Sequence, residues 1–147
     1  MDKNTQKACD NFINGCNCAQ SVLCAYSEKL GLDEKTCMKL ASSFGGGMGR
    51  LREVCGAVSA MFMIAGLIKG YDVAGDDIGK ARHYQLIQNL AKEFKNKHDT
   101  IICRELLNIE GEDNPIPSKR TPEYYNDRPC LEFIKTASEI INSKLID

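Results

Sequence analysis

Apolar residues recur along this chain at helical spacing, and no stretch alternates as a strand does. A first short helix is expected over residues 3–13, ending at Asn14-Gly15. A second runs from about residue 18 to 30, where Ala19, Val22, Leu23, Tyr26 and Leu30 share a face and Gly31 stops it. Asp33 suits the N-cap of a third, through about Ser43. A run of glycines follows. Then comes an apolar helix from about Arg52 to Lys69, stopped by Gly70.

Past Gly75 a long amphipathic helix carries the stripe Ile87, Leu90, Ala91 and Phe94, extended backwards by His83 or Tyr84. Lys92, Lys95 and Lys97 mark its solvated side. A short helical piece holds Cys103, Leu106 and Leu107. Residues 109–128 read as a long polar loop with three of the four prolines. The last helix starts near Pro129, with Asp127 as a candidate cap, and buries Cys130, Phe133, Ile134, Ala137, Ile141 and Leu145. The fold class is all-α. The expected architecture is one compact domain over residues 1–147, a bundle of five or six helices with a Gly-rich loop before a buried central helix.

That loop, FGGGMGRLREVCGAVSA over residues 44–60, holds Gly45, Gly46, Gly47 and Gly49. It is not a Walker A loop, because Arg50 and Leu51 stand where Lys and Ser or Thr would reach phosphate and magnesium. No register gives the G-x-G-x-x-G dinucleotide fingerprint, and the preceding segment is helical rather than a strand. Glycine loses the most freedom on folding, so a cluster of them marks backbone at φ > 0 or in close approach to something. A tight helix–helix corner would explain it. So would backbone N–H groups aimed at a sulfur or a bound group, which makes Gly45, Gly46, Gly47, Gly49 and Gly56 candidate binding positions.

Charge removes some function classes. With 19 basic and 20 acidic side chains, and no basic cluster longer than Lys119-Arg120, no nucleic-acid footprint is present. The longest apolar run, residues 54–68, falls short of the roughly 18 residues a membrane span needs. The polar start MDKNTQKACDNF lacks a secretory pattern, so a cytoplasmic protein without membrane insertion is expected.

Eight cysteines change the picture more. In a reducing compartment, clustered cysteines bind metal or do redox chemistry, and otherwise they pack as small hydrophobes. Cys55 is expected in the first turn of the central helix, where the helix dipole lowers a thiol pKa. Arg50 and Arg52 add positive potential and Glu53 offsets part of it. Cys130 and Cys18 also fall at expected helix starts. Cys103 lies early in its short helix, on the side of Leu106 and Leu107. Pointed inward, these four would share one pocket.

At these residues the chain resembles the redox-active prokaryotic proteins named for the pattern C_GCAxxG_C_C. The anchors are GCNCAQSVL (15–23), FGGGMGRLREVCGAVSA (44–60), CRELL (103–107) and Cys130. Motif by motif, the family's four cysteines fall on Cys18, Cys55, Cys103 and Cys130, and the resemblance implies a redox-active or cluster-binding role for them. One departure is Ala60, where the pattern has Gly. Cys16 could add a fifth sulfur, whereas Cys9, Cys24 and Cys37 lie outside the pattern.

Three chemistries stay open. The first is thiol–disulfide redox or electron transfer, with Cys55 as nucleophile and Cys18, Cys103 or Cys130 resolving. The second is an iron–sulfur cluster or zinc held by the same four cysteines. No haem is expected, since Cys-x-x-Cys-His is absent. The third is a non-catalytic interaction domain. Beyond an unidentified redox partner, no partner is indicated, and homo-oligomerisation stays open. His83 and His98 read as packing or capping groups, and Asp76-Asp77 as helix-start charges. Tyr124 and Tyr125 either cover the site or anchor the long loop.

Overall fold

The computed structural model describes residues 1–146. Nine helices occur among them: α1 (Lys3–Ile13), α2 (Cys18–Ala25), α3 (Ser27–Leu30), α4 (Glu34–Ala41), α5 (Gly56–Lys69), α6 (Asp77–His98), α7 (Cys103–Leu106), α8 (Pro122–Asp127) and α9 (Cys130–Lys144). A 3-10 turn at Ser42–Phe44 leads into the glycine segment. The fold is all-helical. Its only extended pairing among the described residues is a single antiparallel bridge, Val54 to Ile102.

The core lies where α2, α5 and α9 meet, with α1 packed on α2 and α9, and α6 on α5 and α9. Val22, Leu23, Val58, Met61, Ile64, Leu90, Phe94, Ile134 and Ile141 are fully buried there. Apart from Ser59, helix α5 is apolar on all sides over its first ten residues, as a central helix should be. No helix among the described residues is long and apolar enough to cross a membrane.

Local sequence explains most helix starts. Asn17 accepts from the Gln20 N–H (2.8 Å) while Gln20 Oε1 accepts from the Asn17 N–H (3.1 Å). This capping box makes Cys18 the first residue of α2. Asp33 caps α4 through the Thr36 N–H, and Asp76 caps α6 through the Gly79 N–H. Asp76 and Asp77 are helix-start charges, as their pairing implies.

The differences from expectation have long-range causes. The second helix breaks at Tyr26, whose buried hydroxyl reaches Ser138 and Asn142 of α9 and holds the backbone at ψ 8°. The apolar helix begins at Gly56 rather than Arg52, because residues 52–55 extend to pair with 101–104. Cys55 donates its N–H to the Ile101 carbonyl (2.8 Å) and Arg104 to the Arg52 carbonyl (3.2 Å). The long polar loop contains α8, capped by Thr121. Asp127 therefore ends α8 instead of capping α9, and Pro129 is the N-cap residue of α9 instead of its first helical residue. Short pieces such as α3, α7 and α8 raise the helix count above the five or six expected.

Candidate functional site

The glycine segment is a left-handed turn. Five consecutive residues, Gly46 to Arg50, have φ between 61° and 70°, and Arg52 has φ 61°. Such values cost a side-chain-bearing residue of order 1–2 kcal/mol, so Met48, Arg50 and Arg52 store strain that the rest of the fold sustains. Gly47 shows what the turn achieves. A Cβ there would stand 2.6 Å from the Cys103 Cβ and 2.8 Å from the Arg52 Cα. At Gly56 it would stand 2.8 Å from the Phe44 carbonyl and 3.1 Å from the Cys18 Cβ. Bare backbone is thus needed beside two of the cysteines.

Four helix starts converge at this turn. Cys18, Cys103 and Cys130 are the first residues of α2, α7 and α9, and Cys55 is the N-cap residue of α5. All four line one cavity of about 340 Å³, together with Gly45, Gly46, Gly47, Gly49 and Gly56. The antiparallel bridge sets Cys55 beside Cys103, while α2 and α9 bring Cys18 to Cys130. All eight cysteines are free thiols.

The four sulfurs are not equivalent. Cys18 and Cys130 interact directly, which raises the Cys18 thiol well above its ordinary range and lowers that of Cys130. Burial raises Cys130 in opposition, but Arg128, Arg52 and Arg120 all favour its thiolate. Cys103 takes a hydrogen bond from Arg52 Nη1 at 3.6 Å, yet burial outweighs it and its thiol is raised.

Cys55 overturns the expectation of a lowered thiol. Its sulfur faces the Ala57 and Val58 N–H groups, too loosely for a capping hydrogen bond, and they do favour the thiolate. It is nevertheless only 4 % exposed, and desolvation pushes its pKa up to about 12. A helix start lowers a thiol pKa only where burial does not outweigh it.

Arginine supplies the other lining groups. Arg50, Arg52, Arg120 and Arg128 face the cavity, four of the six arginines in the chain. Arg52 is 3 % exposed, and its Nε donates to Asp113 Oδ2 at 2.9 Å. Its Nη2 lies 2.8 Å from the same oxygen as an ion-pair contact but has no hydrogen bond of its own. Arg50 donates to the Asn114 carbonyl and Ser118 hydroxyl. Arg120 donates to the Phe12 and Cys16 carbonyls and stacks on Phe12 and Tyr124. Arg128 lies over the Tyr124 ring, 5.5 Å from its centroid.

The remaining candidates fall elsewhere. Cys16 points away from the cavity, 3.8 Å from the Met38 sulfur, and adds no fifth sulfur. Cys9, Cys24 and Cys37 are core residues. His98 bonds Thr136 (2.8 Å) and stacks on Phe94 and Phe133, and burial lowers its pKa. His83 packs edge-on to Tyr71. Tyr124 and Tyr125 both pack on Phe12, but only Tyr124 also lines the cavity. Sequence reasoning missed Arg120 and Arg128. Their nearest signal was the pair of tyrosines between them, which stack with the guanidinium groups.

Among the described residues, no three His, Cys, Asp or Glu side chains stand close enough to hold a metal ion. The four thiols are the right donors for zinc or an iron–sulfur cluster, but as placed they do not close around one point.

A family model described as "Putative redox-active protein (C_GCAxxG_C_C)" matches residues 16–144. The chain belongs to that family. No curated protein and no solved structure matches it.

Proposed function

With membership of that redox-active family as premise, we propose that the chain is a dithiol redox protein whose reacting pair is Cys130 and Cys18. The observation that carries this reading is the placing of Cys18 and Cys130, each the first residue of its helix, on the wall of one cavity. It sets a thiolate beside the thiol that can resolve its mixed disulfide. Thiolate is the attacking form, and a neighbouring sulfur is the partner the second step requires.

The steps balance as follows. The Cys130 thiolate attacks one sulfur of an external disulfide, whose S–S bond breaks. One half remains on Cys130 as a mixed disulfide, and the other leaves as a thiolate and takes a proton from solvent. Cys18 then loses its proton and attacks the Cys130 sulfur. The second external thiolate leaves and takes up that proton. Two electrons have passed from the pair to the external disulfide, which ends as two thiols, and Cys18 and Cys130 end as a disulfide. Cys55, with its pKa near 12, is a poor first nucleophile at neutral pH and is assigned no step here. The Arg52 guanidinium holds Cys103.

Oxidation of the reduced protein followed by peptide mapping tests this. A Cys18–Cys130 disulfide is expected, with Cys18→Ser trapping the mixed disulfide on Cys130 and Cys130→Ser forming neither. A disulfide confined to other cysteines would overturn the reading. So would stoichiometric iron and acid-labile sulfide, or zinc, in anaerobically purified protein, since these make the thiols ligands instead.

A further inference from the structure

We propose that the cavity binds the carboxylate of a low-molecular-weight organic disulfide through Arg52 and Arg128, and so delivers its S–S bond to Cys130. This rests on the dithiol reading and names its substrate class.

Charge is the first observation. The chain as a whole carries a formal charge of −1, yet the cavity wall holds four guanidinium groups and no acidic side chain. Lysine is absent from the lining as well. Arginine's planar fork suits two-point recognition of a carboxylate, whereas lysine acts as a point charge. Size is the second. A volume of about 340 Å³ falls within the range of small-molecule pockets, roughly 300–1,000 Å³, and is too small for a folded partner.

The third observation is which donors are already used. Arg120 spends its two terminal nitrogens on the Phe12 and Cys16 carbonyls, and Arg50 is held by Asn114 and Ser118. These two add charge and hold the wall in place. The Arg128 side chain makes no hydrogen bond or ion pair among the described residues, and lies over the Tyr124 ring. Arg52 is almost wholly buried, lines the cavity, and leaves Nη2 without a hydrogen bond. A buried guanidinium N–H without an aligned acceptor is costly, and Asp113 meets Nη2 only as an ion pair, so an anion in the cavity would supply the missing bond.

Asp113 shows that this guanidinium accepts a carboxylate. Its Oδ2 lies 2.9 Å from Arg52 Nε and 2.8 Å from Nη2, with Arg50 Nη2 at 3.8 Å. It approaches from outside the lining, on a loop, and is 39 % exposed. Arg52 lines the cavity beside Arg128, whose side chain has no hydrogen-bonding or ion-pair partner. Both Arg52 and Arg128 are near enough to Cys130 to act on its charge, so an anion bound there lies next to the attacking sulfur.

The test uses three disulfides of similar size and different charge: 3,3′-dithiodipropionate, bis(2-hydroxyethyl) disulfide and cystamine. Their rates of reaction with reduced protein are compared. The dianion is expected to react about tenfold faster than the neutral compound, and cystamine slower still. Arg128→Gln should bring the anionic and neutral rates together. Lys119→Gln, which removes the same charge outside the cavity, should leave their ratio unchanged.

A second arm needs no redox step. Adipate, a dicarboxylate without sulfur, is expected to protect Cys130 from iodoacetamide in the native protein but not in Arg128→Gln. Arg52→Gln is the more direct variant, and Arg128→Gln serves where loss of Arg52 unfolds the protein. Equal rates for all three disulfides, with no protection by adipate, would overturn the anion site and leave the dithiol reading standing. Protection by adipate with no reaction of any disulfide would keep the anion site and overturn the dithiol reading.

Discussion

Two groups of free thiols lie in and around helix α2. One is the cavity set, Cys18, Cys55, Cys103 and Cys130, at four helix starts and faced by four arginines. The other is Cys16, Cys24 and Cys37, beside α4 and its acidic start. Burial raises all three of these thiols, and the carboxylates Glu34 and Asp33 raise them further. Each group gathers several free thiols from separate elements. Only the first contains a thiol below its ordinary range, Cys130. Proximity of cysteines alone thus does not lower a thiol; the charge around them does, together with a neighbouring sulfur.

The largest expected effect is on native-state reactivity. Brief iodoacetamide treatment near neutral pH, with labelling read by mass spectrometry, should modify Cys130 at least about 100-fold faster than Cys24 or Cys37. Cys24, 1 % exposed with its pKa near 12, should be labelled only through unfolding. Comparable native rates for the two groups would erase the distinction.

Next comes the glycine turn, which only the cavity set possesses. Gly47→Ala puts a Cβ into the Cys103 side chain and the Arg52 backbone at φ 69°. Left-handed strain plus overpacking predict a loss of about 2–4 kcal/mol in chemical denaturation. Gly75→Ala, where an added Cβ meets nothing within 4 Å, should change stability far less.

Alkaline titration sharpens the comparison by showing what the two groups share. Burial raises Cys55 and Cys24 alike to about 12 from the ordinary thiol value of 9.0. A thiol raised on folding is protonated in the native state and ionised in the unfolded one. Its contribution to stability is complete below about pH 9 and is lost as pH rises toward 12. Stability should therefore fall across that window, with about 1.4 kcal/mol per pH unit for each such group. Cys55→Ala and Cys24→Ala should each shallow the slope by about one proton. Cys130 has the opposite sign. Its contribution is present above the ordinary thiol pKa and lost as pH falls through its lowered one.

Much of this was legible in the chain, and the parts that were not share a cause. The start of α2 at Cys18 follows from the Asn17–Gln20 capping box, and Pro129 marks the start of α9 at Cys130, so these sulfurs could be grouped with Cys55 and Cys103 from the chain itself. The break at Tyr26 could not be read, because it depends on Ser138 and Asn142, more than 110 residues away. The choice between Cys55 and Cys130 was equally hidden. Both sit at a helix start, and the local rule treats them alike. What separates them is the neighbouring Cys18 and, beyond it, Arg128, Arg52 and Arg120, two of which arrive on a loop whose return to the glycine turn no periodicity encodes.

The smallest effect tests the charge argument most directly. Arg128→Gln removes one guanidinium facing Cys130 and keeps side-chain bulk over Tyr124. Arg128 is half-buried, so its field is partly screened. Alkylation of Cys130 near neutral pH should slow by about threefold to tenfold, and by less at high salt. The midpoint of its pH–rate profile should move up, toward the ordinary thiol value. Glu34→Gln makes the matched change beside the other group, and should leave Cys24 as unreactive as before, since burial is the first cause of its raised pKa. An unchanged midpoint in Arg128→Gln would mean that Cys18 alone lowers Cys130. Cys18→Ala would then carry the whole shift, and the distinction between the two groups would reduce to one neighbouring sulfur.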